Sequence, residues 1–247
     1  MANIIDLDSY TQMIRDNLER GPTVLAVASA DATLSLFIGN LDHAKGYRSV
    51  GLVNFAFSTW RTAAVLSKAG NASQIPSLLR LSLESMLYAH LFMHDSGWLK
   101  IWSERGTNPK SRDNFRRNGF GAARAAMQMR DKRLFEAIIS LYDEMIDTGG
   151  HPNSDAIELM TTMDFKPGEE NGTVYFSHLG DGAARHLATV NVVRAADQIL
   201  CVAKHIWPER YELYGIRLQH KAFREQAITY IRINETIKHQ RFTPPIR

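Results

Sequence analysis

From Pro76 to Trp102 the chain is apolar on most helical sides, and that stretch limits the folds open to it. Leu78, Leu79, Leu81, Leu83, Met86 and Leu87 surround the segment, so a helix here must be wrapped by other elements to be stable in water. Pro76 suits a first helical turn, and the spacing predicts a helix from near that residue to His94. Set into this surface at intervals of one helical turn are Arg80, Glu84 and Tyr88. If their polar heads point inward they must be satisfied by hydrogen bonds, because an unpaired buried charge is costly.

Helical patterning continues on both sides. Asp6 or Asp8 can cap a first helix with Tyr10, Met13, Ile14 and Leu18 on its apolar face, ending at Gly21 before Pro22. A second helix is predicted over Thr23–Asp42 and a third over Tyr47–Lys68, closing at Gly70. Beyond His94 the pattern predicts a shorter helix over Ser96–Arg105. Another opens at Pro109, with Gly119 and Gly121 as points of bending, and a third is capped by Asp131 and ends at Gly149 and Gly150. After a short segment over Asp155–Met160, strand propensity around Met163–Phe165 and Thr173–Phe176 predicts a small hairpin. Helix returns from Asp181 until Pro208, followed by a short helix over Tyr211–Gln219 and a longer one over Phe223–His239.

The expected fold is all-α, an irregular multi-helix bundle of about ten helices with one small β-hairpin insertion around residues 161–178. A chain of 247 residues with no long linker is read as one helical domain over 1–240 followed by an extended tail, 241–247. Val24–Leu41 is apolar but carries Ser29, Asp31, Thr33, Ser35 and Asn40, so it reads as a buried helix and no membrane partner is expected. The single cysteine, Cys201, lies in an apolar run and reads as a small core side chain. With no basic segment leading into an apolar one near Met1, a cytoplasmic location is expected.

Two groups of residues could carry chemistry. The first is Arg80 and Glu84, spaced to meet on one helix face, with Tyr88 continuing the row. The second, around Tyr142, is Asp147, His151 and Asn153, where Gly149 and Gly150 permit a sharp turn that can aim the His151 imidazole at a neighbouring helix. Both groups also have a purely structural reading, as an ion pair and as a Gly-terminated helix end. A pocket lined by Tyr88, Trp98, Trp102 and Tyr142 would let Arg80 or His151 meet an anionic group.

Charge is unevenly placed. Between Lys100 and Arg133 ten basic residues face three acidic ones, seven net positive charges in a chain whose total is +3. Arg112, Arg116 and Arg117 fall on one helical arc, with Phe115 and Phe120 nearby and Arg124 further along, so the segment could track nucleic-acid phosphates. It could equally meet the acidic stretch Asp143–Glu170 of the same or another subunit. His90 and His94 share a helical face, but no Glu precedes a His by three residues as in bundle metal sites, so no metal is expected. No cofactor is expected either: the chain has no glycine-rich phosphate loop, no Gly-x-Ser-x-Gly elbow and no paired Cys motif.

At Arg80, Glu84, Tyr88 and Trp102, and again at Tyr142 with His151, Pro152 and Asn153, the chain resembles bacterial helical proteins that carry an Arg-x-x-x-Glu helix and a later His turn. Those proteins look distantly similar to the HEPN superfamily and to abortive-infection proteins, many of which cut RNA without metal as homodimers. The resemblance implies an Arg and a nearby His acting on a phosphodiester. In HEPN nucleases a few residues separate the two, and Arg232 with His239 is the candidate pair, although Ile233 stands where a polar residue usually follows that Arg. The leading expectation is an interaction or ligand-binding protein related to phage defence or stress, in a homodimer. A metal-independent HEPN-like RNase and an RNA- or DNA-binding protein without cleavage are the alternatives.

Overall fold

The computed structural model describes residues 6–150, 161–164, 173–176, 179 and 183–241, and there the protein is an all-α helical bundle. Its helices are α1 Leu7–Arg20, α2 Leu25–Gly39, α3 Tyr47–Ala69, α4 Ile75–His94, α5 Ser96–Glu104, α6 Pro109–Arg130, α7 Lys132–Met145, α8 Ala183–Ile206, α9 Pro208–Leu213 and α10 Ile216–Arg241. A single 3-10 turn, Ala72–Gln74, leads into α4, and a wide π-type turn, Ile146–Gly150, leaves α7. Between α7 and α8, Thr161–Asp164 (β1) pairs antiparallel with Thr173–Phe176 (β2), Thr162 opposite Tyr175 and Met163 opposite Val174. The glycine-containing turn expected between them, the segment Asp155–Met160 and the tail 242–247 lie outside the described residues.

Helix α4 is the hub, packing against α3, α5, α6, α7, α8 and the turn 146–150. This follows from its composition, since Leu79, Leu83, Met86, Leu87, Leu91 and Phe92 are all buried and cover more than one side of the helix. The α3–α4 seam is close because small residues meet there: Ser82 Oγ donates to the Ala56 carbonyl at 2.7 Å, which satisfies a buried hydroxyl between two helices. Trp60 on α3 is fully buried and donates its indole N–H to the Val192 carbonyl of α8 at 2.8 Å. Polar residues within the apolar helices return to their own backbones, as Thr33 does to Ser29 and Ser85 to Leu81. No single helix among the described residues is long and apolar enough to cross a membrane.

Several expected boundaries move, each for a local reason. Asp6 is the cap of α1, its carboxylate accepting from Ser9 N at 2.7 Å. The second helix starts at Leu25 and ends at Gly39, not at Thr23 and Asp42, because Val24 and Asn40 have left the helical conformation. Pro208 opens α9 at its first turn, and the break expected between Gln219 and Phe223 falls instead at Tyr214–Gly215. Gly215 has a φ of +70°, a left-handed conformation that glycine adopts without steric cost. Helix α6 runs unbroken past Gly119, which serves close packing: a Cβ there would lie 2.8 Å from the Phe115 ring.

Candidate functional site

Arg80 and Glu84 are joined through a third residue. Tyr142 on α7 places its hydroxyl between them, accepting from Arg80 Nη2 at 3.1 Å and donating to Glu84 Oε1 at 2.6 Å. The direct ion pair is longer, 3.9 Å, and the Arg80 guanidinium lies 4.9 Å from the Tyr142 ring centroid. The two charged side chains are 20% and 28% exposed, neither immersed in the core nor in open water. Burial, reinforced by the hydrogen bond to Glu84, raises the Tyr142 pKa, so the phenol stays protonated and serves as a donor. The arrangement clasps α4 to α7, and a double-mutant cycle of Tyr142→Phe with Glu84→Gln is expected to return a coupling of about 1 kcal/mol in urea unfolding. Additive effects of the two substitutions would show that the hydroxyl bridge contributes nothing.

Tyr88 does not continue this polar row. Its ring packs with Phe92, Phe115 and Phe120, and burial followed by the Glu84 charge pushes its pKa up to about 12. Trp102 and Tyr142 border the same aromatic cluster, Phe92 lying against Trp102 and Phe120 against Tyr142, while Trp98 is half-buried against the hydrophobic core. The cluster is tied to the basic segment, because Arg105 lies over the Trp102 ring and Arg124 over Phe120 and Phe135, and Arg48 of α3 also lies over Trp102. Arg124 is therefore half-buried on rings, whereas Arg112, Arg116 and Arg117 project from α6 into solvent.

The turn carrying Asp147 packs against α4, whereas His151 and Asn153 lie outside the described residues. Arg232 and His239 both belong to α10, Arg232 with an exposed side chain. His90 is 2% exposed, and neither ring nitrogen has a hydrogen-bond partner among the described residues. Its ring centroid is 4.7 Å from that of His94, and burial, then His94, His205 and Arg130, push its pKa down to about 4. His205 in turn meets the Asp131 carboxylate at 3.2 Å.

Two features of the structure involve residues that the sequence had not pointed to as sites. One is an apolar cavity of about 970 Å³ between the α1–α2 corner, α3, α8 and α10. Leu18, Val24, Val27, Ala64, Val65 and Ile233 supply much of its wall. Lys68, Arg185 and His186 also line it. The corner at Gly21 brings two of these residues together, since a Cβ there would sit 2.7 Å from Arg185 Nη2 and 3.4 Å from the Lys68 carbonyl oxygen. Asp31 and Arg61, also in the lining, form their own ion pair at 2.6 Å.

The second feature is a polar network between α8 and α10. His220 is buried, with Nε2 at 2.6 Å from Asp197 Oδ1 and Nδ1 in hydrogen-bond contact with the Tyr211 hydroxyl. Arg224 donates to both Asp197 oxygens and, at 2.8 Å, to Cys201 Sγ. Burial favours the neutral Asp197 carboxyl, but the hydrogen bonds from His220 and Arg224 outweigh it and hold the pKa below its usual value. Cys201 is thus half-buried and engaged by a cation rather than a plain core side chain, although burial pushes its pKa up to about 12. The sequence signal was present: Asp197 with Cys201, and His220 with Arg224, are each four residues apart.

No known family, curated protein or solved structure matches the chain.

Proposed function

We propose that this protein binds an amphipathic anion, a molecule with an apolar chain and a carboxylate, sulfonate or phosphate head, in the cavity between the α1–α2 corner, α3, α8 and α10. The supporting observation is the combination of about 970 Å³ of mostly alkyl-lined space with Lys68, Arg185 and His186 in a wall whose two carboxylates, among the described residues, are Glu225 and Asp31, the latter already paired with Arg61. That volume falls in the range of small-molecule sites, which join a predominantly apolar lining to a few placed polar groups. Lys68 is half-buried in the cavity lining, and a partly buried ammonium gains more from an anion than it would in open water. The clasp of Arg80, Tyr142 and Glu84 then belongs to the scaffold: its hydroxyl is a donor held at Glu84, and its guanidinium lies against a ring.

Displacement of anilinonaphthalene sulfonate, followed by its fluorescence, tests this reading. A saturated carboxylate should displace the dye about tenfold better than the alcohol of equal chain length, a difference of about 1.4 kcal/mol. Lys68→Gln should remove most of that preference, and Ala64→Phe should block both ligands by filling the apolar wall. Absence of saturable dye binding, or displacement unaffected by Ala64→Phe, would refute the assignment of this cavity.

A further inference from the structure

We infer that Asp197, Cys201 and His220 form a site for a borderline-soft divalent cation of the zinc type, gated by Arg224. The ligand atoms of the three residues all lie within 4.8 Å of one another, close enough to converge on a single ion. A carboxylate oxygen, a thiolate sulfur and an imidazole nitrogen make a donor set that suits zinc and leaves a fourth tetrahedral position for water. The two helices present these groups as facing pairs, Asp197 and Cys201 on α8, His220 and Arg224 on α10.

Arg224 already fills the position a cation would take. Its guanidinium touches both oxygens of Asp197 and the Cys201 sulfur, so the protein's own positive charge stands where the metal would sit. The Arg224 side chain is 49% exposed and can turn outward, whereas His220 is held in the interior. Cation entry balances simply. The Cys201 thiol proton leaves to solvent and the thiolate binds the ion, since a coordinating thiol is deprotonated outright.

An ionised Asp197 carboxylate can only accept, so the proton between it and His220 sits on Nε2, and in the neutral ring Nδ1 then accepts from the Tyr211 hydroxyl. With the ion bound, Nε2 offers its lone pair and the proton resides on Nδ1, donating to the same Tyr211 hydroxyl. Tyr211 thereby orients the imidazole in both states, the role that partners of metal-bound histidines commonly fill.

Cobalt(II), a coloured substitute for zinc, tests the site on the reduced, chelator-stripped full chain. The expected result is a thiolate-to-cobalt charge-transfer band that zinc abolishes and that is missing from Cys201→Ser. His220→Gln should weaken cobalt binding about tenfold or more. Arg224→Ala should instead tighten it by at least about tenfold, because the guanidinium and the incoming ion are like charges competing for the same carboxylate and sulfur. Circular dichroism reports whether each variant is folded, and Arg224→Ala keeps the test decisive if the buried-ligand variants are not. Lack of the band in the unmodified chain, its survival in Cys201→Ser, or weaker binding by Arg224→Ala would each overturn the proposal.

Discussion

Replacing Trp60 with alanine is expected to destabilise the protein by about 3–5 kcal/mol, a large share of the roughly 5–15 kcal/mol that holds a domain together. The indole is fully buried, lies parallel to Phe57 with ring centroids 6.2 Å apart, and bonds the Val192 carbonyl across the α3–α8 seam. Truncation removes that apolar contact area and opens a void that the surrounding helices can fill only in part. Urea unfolding without ligand should show a lower midpoint at an unchanged slope, the sign of altered stability and not of altered compactness. Trp60→Phe separates the two contributions: most of the volume stays, the indole donor goes, and the loss should fall to about 1–2 kcal/mol. A midpoint that hardly moves for Trp60→Ala would mean that the α3–α8 seam is not a principal part of the core.

Acid should weaken the fold through His90. Its pKa falls from 6.5 to about 4 in the folded chain, first because burial disfavours the charged ring and then because His94, His205 and Arg130 repel a proton there. The unfolded chain therefore takes up this proton before the folded chain does. The stability concerned is fully present above pH 6.5, is lost as pH falls towards 4, and changes no further below that value. Its total is about 3 kcal/mol, from about 1.4 kcal/mol per pKa unit.

His90→Leu places an apolar side chain of similar bulk there without buried ring nitrogens, so it should flatten this part of the pH dependence, and its gain in stability relative to the parent should grow as pH falls from 7.5 to 5. Urea midpoints at pH 7.5, 6 and 5 measure the difference. Equal slopes with pH in parent and variant would show that His90 is not the group responsible. His205, whose pKa is lowered by burial against the opposing pull of Asp131, titrates in the same direction and remains as the residual dependence in the variant.

Much of the architecture could be read along the chain because helices are local objects. The apolar girdle of α4, Pro109 at the start of α6 and Asp131 capping α7 each act through residues within a turn or two of one another. Gly215 is a stop of the same local kind, a glycine at positive φ directly after the cap of α9, so the break there is also written in the sequence. Of the candidate residues, the i,i+4 spacing of Arg80 and Glu84 correctly placed them within reach of one another. That Tyr142 comes between them could not be inferred, because α7 reaches α4 only through tertiary packing.

The cavity and the α8–α10 network lay deeper still. The wall of the cavity comes from residues as distant as Leu18 and Ile233, unremarkable singly and meaningful only where they meet. Cys201 looked like a core side chain because its neighbours in sequence are apolar. Its neighbours in space are Asp197, His220 and Arg224, two of them from another helix.

By itself the sequence determined that this chain forms helices, where most of them begin, and that α4 must be surrounded, since hydrophobic periodicity and capping act over a few residues. Which polar groups face each other, and where space remains between the helices, was decided only by the packing. Hydrogen bonds, ion sites and cavities depend on distances across residues far apart in the chain, and those distances exist only once the helices have docked.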